Sequence, residues 1–151
     1  MQLVEALDQH LRQPIEAMGY ILWGIEILPM NADLLVRIYI DHKDGISVDD
    51  CQDVSTQISG ILDVEDLIDA HYTLEVSSPG ADRILFTLEQ VKCFEGFMVK
   101  GRLKEQVNGY RKFKNALLKA VSGNQLTLEI DSNQVEIDYN QVEQLRIAPT
   151  W

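Results

Sequence analysis

Carboxylates are the residues best suited to chemistry in this chain, and their spacing gives them little to do. Asp49 and Asp53 lie four apart, on one face of a helical segment where two carboxylates can share a cation. A metal-dependent hydrolase built on that pair is the weakest of the functional readings, because acidic first turns are ordinary and complement the helix dipole. The neighbouring run Asp41-His-Lys-Asp-Gly-Ile-Ser-Val-Asp-Asp50 has the outline of a calcium loop. Aligning Gly45 with the loop glycine puts Ile40 first and His42 third, where oxygen ligands are required, so the pattern fails. His10, His42 and His71 show no H-x-x-x-H or His/Cys pairing that would hold zinc. Ser77-Ser78 lacks a nucleophile elbow, and no P-loop, dinucleotide fingerprint or C-x-x-C occurs. No catalytic, cofactor or metal site is expected, and the two serines read as turn caps.

The cations are arranged more purposefully. Residues 92–119 hold eight basic side chains and two acidic ones. On the strand Phe97–Glu105, Phe97, Val99, Gly101 and Leu103 share one phase, and Met98, Lys100, Arg102 and Lys104 share the other. A hairpin through Val107-Asn-Gly109 would lay Arg111, Lys112 and Lys114 alongside. These six cations, Lys100, Arg102, Lys104, Arg111, Lys112 and Lys114, are the candidate partner-binding residues. They suit RNA phosphate or an acidic protein patch.

The elements that position them change character along the chain. A helix is expected from about Gln2 to Met18, interrupted at Pro14 and stopped by Gly19. Ile21, Trp23, Ile25 and Ile27 alternate as a strand. Leu34, Val36, Ile38 and Ile40 alternate as its hairpin partner. Ser47 followed by Asp50 resembles a capping box and opens a second helix with Cys51, Val54, Ile58, Ile61 and Leu62 on one face. The strand Tyr72–Ser77 completes an α-β-β-α-β order and ends at the turn Ser78-Pro79-Gly80-Ala81-Asp82-Arg83. A short helix over Thr87–Phe94 follows, then five strands: Phe97–Glu105, Tyr110–Val121, Gln125–Ile130, Gln134–Tyr139 and Leu145–Ala148. Adjacent Leu117 and Leu118 call for a bulge. Five short strands with Asn, Gly or Ser turns suggest a small SH3-like or Sm-like β-barrel. The fold class is therefore α+β. The expected limits are an N-terminal domain over 1–83, a linker with a short helix over 84–96, and a barrel over 97–151.

Charge divides along the same boundary. Residues 1–90 carry 17 acidic against 4 basic side chains, a net of −13; residues 91–151 carry 7 against 9, a net of +2. The first part should repel a phosphate backbone and attract basic proteins, whereas the second suits nucleic acid or an acidic surface. An apolar share of 46% in 151 residues supports a packed core. There is no apolar run long enough to span a bilayer and no visible signal peptide, so no membrane role is expected. Cys51 and Cys93 are expected as buried free thiols.

Four segments carry a resemblance: Leu35-Val-Arg-Ile-Tyr-Ile-Asp41, Gly45-Ile-Ser-Val-Asp-Asp-Cys51, Ser59-Gly-Ile-Leu-Asp-Val-Glu-Asp66 and Tyr72-Thr-Leu-Glu-Val-Ser-Ser-Pro-Gly-Ala-Asp-Arg83. As a set they closely resemble the bacterial ribosome maturation factor family RimP, most strongly from Leu35 to Arg83 and by strand pattern after Gly96. The resemblance implies a non-enzymatic, monomeric cytoplasmic assembly factor that binds the free small (30S) ribosomal subunit late in its maturation. It also implies a KH-like N-terminal domain joined to an SH3-like barrel, and contacts with rRNA and with a basic ribosomal protein near the decoding centre. The KH likeness is one of topology, because no G-x-x-G loop is present. The turn residues Ser78, Pro79, Gly80, Asp82 and Arg83 would form the interdomain corner. The chain departs from the family at Ile84, where Pro is usual, and at Asn115-Ala116, where Gly is frequent. The alternative reading is an acidic adaptor that binds basic proteins or single-stranded RNA through its barrel.

Overall fold

The structure is a computed structural model that describes residues 2–149. Two compact units, Met1–Pro79 and Gly80–Trp151, divide it.

The first unit contains α1 (Gln2–Ala17), β1 (Ile21–Met30), β2 (Asp33–Asp41), α2 (Val48–Glu65) and β3 (Tyr72–Ser77). Its sheet has the order β1-β2-β3, antiparallel between β1 and β2 and parallel between β2 and β3. Helix α1 continues through Pro14 and ends as its sequence dictates. Gly19 takes φ 97°, its N–H bonds to Glu16 and the Tyr20 N–H reaches back to Ile15, which satisfies the last carbonyls of the helix. Leu7, Leu11 and Ile15 of α1 pack with Val54, Ile58 and Leu62 of α2 and with Val36, Ile38 and Ile40 of β2 in one buried cluster. Helical spacing on two helices and strict alternation on β2 thus converge on a single core.

β1 corrects the expected phase. The register passes from Leu22↔Ile40 to Gly24↔Tyr39, so Trp23 is an extra residue in a bulge. Leu22 and Ile25 therefore point inward, at 2% and 6% exposure, and Ile21 is 53% exposed.

The second unit contains α3 (Leu88–Lys92), β4 (Met98–Val107), β5 (Tyr110–Ser122), β6 (Gln125–Ile130), β7 (Asn133–Asp138), a 3₁₀ turn (Tyr139–Gln141) and β8 (Val142–Ile147). The five strands form one antiparallel sheet in the order β7-β6-β5-β4-β8. β7 and β8 are its end strands, and among the described residues no pairing between them closes it into a barrel.

Residues 84–96, expected as a linker with a short helix, contain α3 and group with this unit. Ile84 bridges Arg146, the Leu85 N–H bonds to the Leu145 carbonyl, and the Ile147 N–H bonds to the Arg83 carbonyl. Ile84 and Leu85 are both buried, because the chain adds itself to the outer edge of β8. Phe97 corrects the expected phase at the start of β4. It precedes β4, is 48% exposed and stacks edge-on against Phe94, rather than joining Val99 and Leu103 in the core. Cys51 is half-buried and Cys93 exposed, both free, so neither is the fully buried thiol expected. No described helix is long and apolar enough to cross a membrane.

Candidate functional site

The β4–β5 hairpin turns at Asn108-Gly109, where both residues have positive φ (53° and 87°) and Val107 pairs with Tyr110. This tight turn matches the twist of the flanking strands. It brings Arg102 directly opposite Lys112. On its other side β4 pairs with β8, setting Lys100 opposite Arg146 and Arg102 opposite Gln144. Directly opposed residues in antiparallel strands project to the same face. Three adjacent strands, about 4.8 Å apart, thereby gather Lys100, Arg102, Lys112, Lys114 and Arg146 around one open groove of about 250 Å³.

Four of the six expected cations meet in this groove. Lys104 and Arg111 do not line it. The β4 register is irregular beyond Arg102, which carries Lys104 past the groove, and Arg111 falls on the opposite phase from Lys112. Arg146 was not among the expected residues. It lies 44 positions beyond Arg102 in sequence, and only the β4–β8 pairing makes them neighbours. The even spacing of Gln144 and Arg146 on the last strand is the sole sequence signal.

Gly101 forms the groove floor with Phe113. A Cβ on Gly101 would sit 2.7 Å from the Gln144 carbonyl oxygen and 3.1 Å from side-chain carbons of Leu145 and Phe113. β4 approaches β8 closely only because this residue has no side chain. The β5 strand carries one extra residue between Phe113 and Ala116 relative to β4, and another between Leu118 and Ala120 relative to β6. The bulge expected near Leu117-Leu118 is the second of these. The first explains why Phe113 and Ala116 are both buried although three positions apart.

The groove charges are not equivalent. Arg102 Nε donates to Glu143 Oε2 at 2.9 Å. Arg146 Nη1 lies 3.8 Å from Asp82 Oδ2 and donates to the Asp82 carbonyl at 3.3 Å. Among the described residues no ion pair is formed by Lys100, Lys112 or Lys114. Asp82 belongs to the corner expected from the sequence, where Gly80 takes φ 80° and its carbonyl accepts from Arg83 Nε at 3.3 Å. Pro79 is buried, and Ser78 is exposed.

The acidic residues of the first unit serve structure. Ser47 caps α2 by accepting from the Asp50 N–H, and the Asp50 side chain accepts from the Ser47 N–H, completing the expected capping box. The Tyr20 hydroxyl also donates to Asp50, at 2.7 Å. The Ser47 N–H and then Tyr20 hold the Asp50 carboxyl below its ordinary range. The bond to Asp50, with burial adding to it, pushes the Tyr20 phenol up to about 12. Asp49 and Asp53 are exposed, and among the described residues no three His, Cys, Asp or Glu side chains gather as metal ligands. On the sheet face away from the helices Arg37 bonds Glu75 at 2.8 Å and lies 3.7 Å from Glu26, its direct neighbours on β3 and β1. The first unit therefore presents carboxylates that are either solvated or already paired, and the second presents free cations.

Residues 10–82, almost all of the first unit, match the family model of the RimP N-terminal domain.

Proposed function

Because residues 10–82 are a RimP N-terminal domain, we propose that this chain is a non-catalytic cytoplasmic factor that binds the free small (30S) ribosomal subunit and assists its late assembly. The domain match is the observation that carries this reading. The division of charge supports it. A first unit dominated by carboxylates complements basic ribosomal proteins, such as one near the decoding centre, and resists bare rRNA. The second unit offers its groove cations to rRNA within the assembled particle. Its five antiparallel strands, bulged at two places on β5, suit the SH3-like barrel of the family, since bulges bend a sheet towards closure. The factor acts as a monomer and by contact alone, holding nascent protein–rRNA arrangements without making or breaking bonds.

Depletion of the protein from growing cells tests the role. The expected result is an excess of free small subunits carrying incompletely processed rRNA, restored by the intact chain. A normal subunit profile after depletion would favour the acidic adaptor instead.

A further inference from the structure

We infer that the groove between β5, β4 and β8 seats the phosphodiester backbone of RNA without regard to sequence, Lys100, Lys112 and Lys114 supplying the charge and Glu143 restraining Arg102. The inference deepens the proposed function and rests on it for the biological setting, though the binding chemistry is that of the groove itself.

The lysines decide the class of ligand. Each is a point charge on a flexible stem and demands no fixed geometry from its partner. They stand on adjacent strands, so their spacing is a few ångströms across the sheet and about 6.8 Å along it. A nucleic-acid strand carries a charge at every step, meets all three together and releases counterions at each. An acidic protein segment fits less well. At Arg102 and Arg146 it would bring only what Glu143 and Asp82 already provide.

The floor decides how the ligand is read. Phe113 is 5% exposed, so its ring offers no platform for a base to stack on. Gly101 has no side chain, which leaves Gln144 as the one neutral polar side chain among the lining residues. Contacts to phosphate position a nucleic acid, and base edges specify it; this groove supplies almost entirely the former. Glu143, 2.9 Å from Arg102, competes with phosphate for that guanidinium. Neutralising it should release a fourth cation.

The test is a fluorescence anisotropy titration of the full chain with short labelled oligouridylate and with a mixed-sequence strand of equal length, at several salt concentrations. Three free lysines give a slope of log affinity against log salt of about −2, at about −0.7 per phosphate. The variant Lys112→Gln with Lys114→Gln should flatten that slope by about 1.4 and weaken binding roughly tenfold near physiological salt. Glu143→Gln should tighten binding several-fold. Lys92→Gln with Lys119→Gln removes the same charge outside the groove and should change little. Equal losses in both double variants, or competition by polyglutamate as effective as that by oligouridylate, would overturn the inference. If RNA binding ignores the groove variants while the intact chain still joins free small subunits, the groove inference fails and the maturation role stands. If RNA binding behaves as expected but the chain never joins subunits, the failure is that of the maturation role.

Discussion

Replacing Gly101 by Ala should damage the second unit in proportion to a contact that can be measured in advance. The added methyl carbon would lie 2.7 Å from the Gln144 carbonyl oxygen, well inside van der Waals contact. That oxygen belongs to the backbone of β8 and cannot rotate away as a side chain would. Leu145 and Phe113, at 3.1 Å, close the other directions, so β8 must move off β4 or the methyl must compress the core. Overpacking of this kind costs about 1–3 kcal/mol. In a unit of this size each kcal/mol lowers the melting temperature by about 4–8 °C, which predicts a drop of roughly 5–20 °C. Because Arg146 rides on β8 opposite Lys100, the same displacement should loosen the groove and weaken RNA binding. The assay is a circular dichroism melt beside the anisotropy titration. Gly60→Ala is the control: Gly60 lies within α2 with nothing within 4 Å of the added carbon, and the change should stabilise by about 0.5–1 kcal/mol. If Gly101→Ala melts as the native chain does, the close approach of β4 and β8 is wrong and so is the groove built on it.

Three further outcomes follow from the same structure. Val99 is fully buried, so Val99→Asp should leave an unpaired carboxylate in the core and unfold the second unit, seen as loss of its share of the strand signal; a folded variant would contradict the inward phase of β4. Lys100→Glu with Arg102→Glu should abolish most subunit association in a gradient while moving the melt by no more than about 1 kcal/mol, because the Arg102–Glu143 pair is nearly half exposed; full association with a normal melt would make the stripe plain solvated surface. The Tyr20–Asp50 bond makes stability depend on pH at both extremes. The raised phenol contributes fully below about 10 and is lost as pH rises through about 12, and the depressed carboxyl contributes above the ordinary carboxylate range and is lost as pH falls through its lowered value. In a tyrosinate absorbance titration, Tyr20→Phe should remove a late-ionising tyrosine, and removal of one that ionises near 10 would refute the bond.

What the sequence made legible was local. Alternation on β2 named its three buried residues because that strand has no bulge between Val36 and Ile40. Ser47 and Asp50 announced the start of α2, since a cap requires only residues three apart. Asn108-Gly109 announced the hairpin that pairs Arg102 with Lys112. What failed was set by partners distant in sequence. Trp23 enters a bulge because Leu22 and Gly24 pair with consecutive residues of β2, so the apolar run Ile21–Ile27 shows no break where its phase reverses. Phe97 looked like the first core residue of β4, yet Gly96 turns the chain there and the ring stays outside, against Phe94. Arg146 joined the groove through a β4–β8 pairing that composition and periodicity do not encode. The candidate site was thus readable as one cationic strand and hairpin. Its third strand, its rim carboxylates and its glycine floor required the fold.

Binding to the free small subunit is best read by sedimentation. The purified chain is mixed with isolated small subunits, with large subunits and with joined ribosomes, and each mixture is run on a sucrose gradient at physiological salt. The chain should travel with the free small subunit and remain at the top of the gradient in the other two. A chain that remains at the top in all three, or that travels equally with every particle, would contradict it.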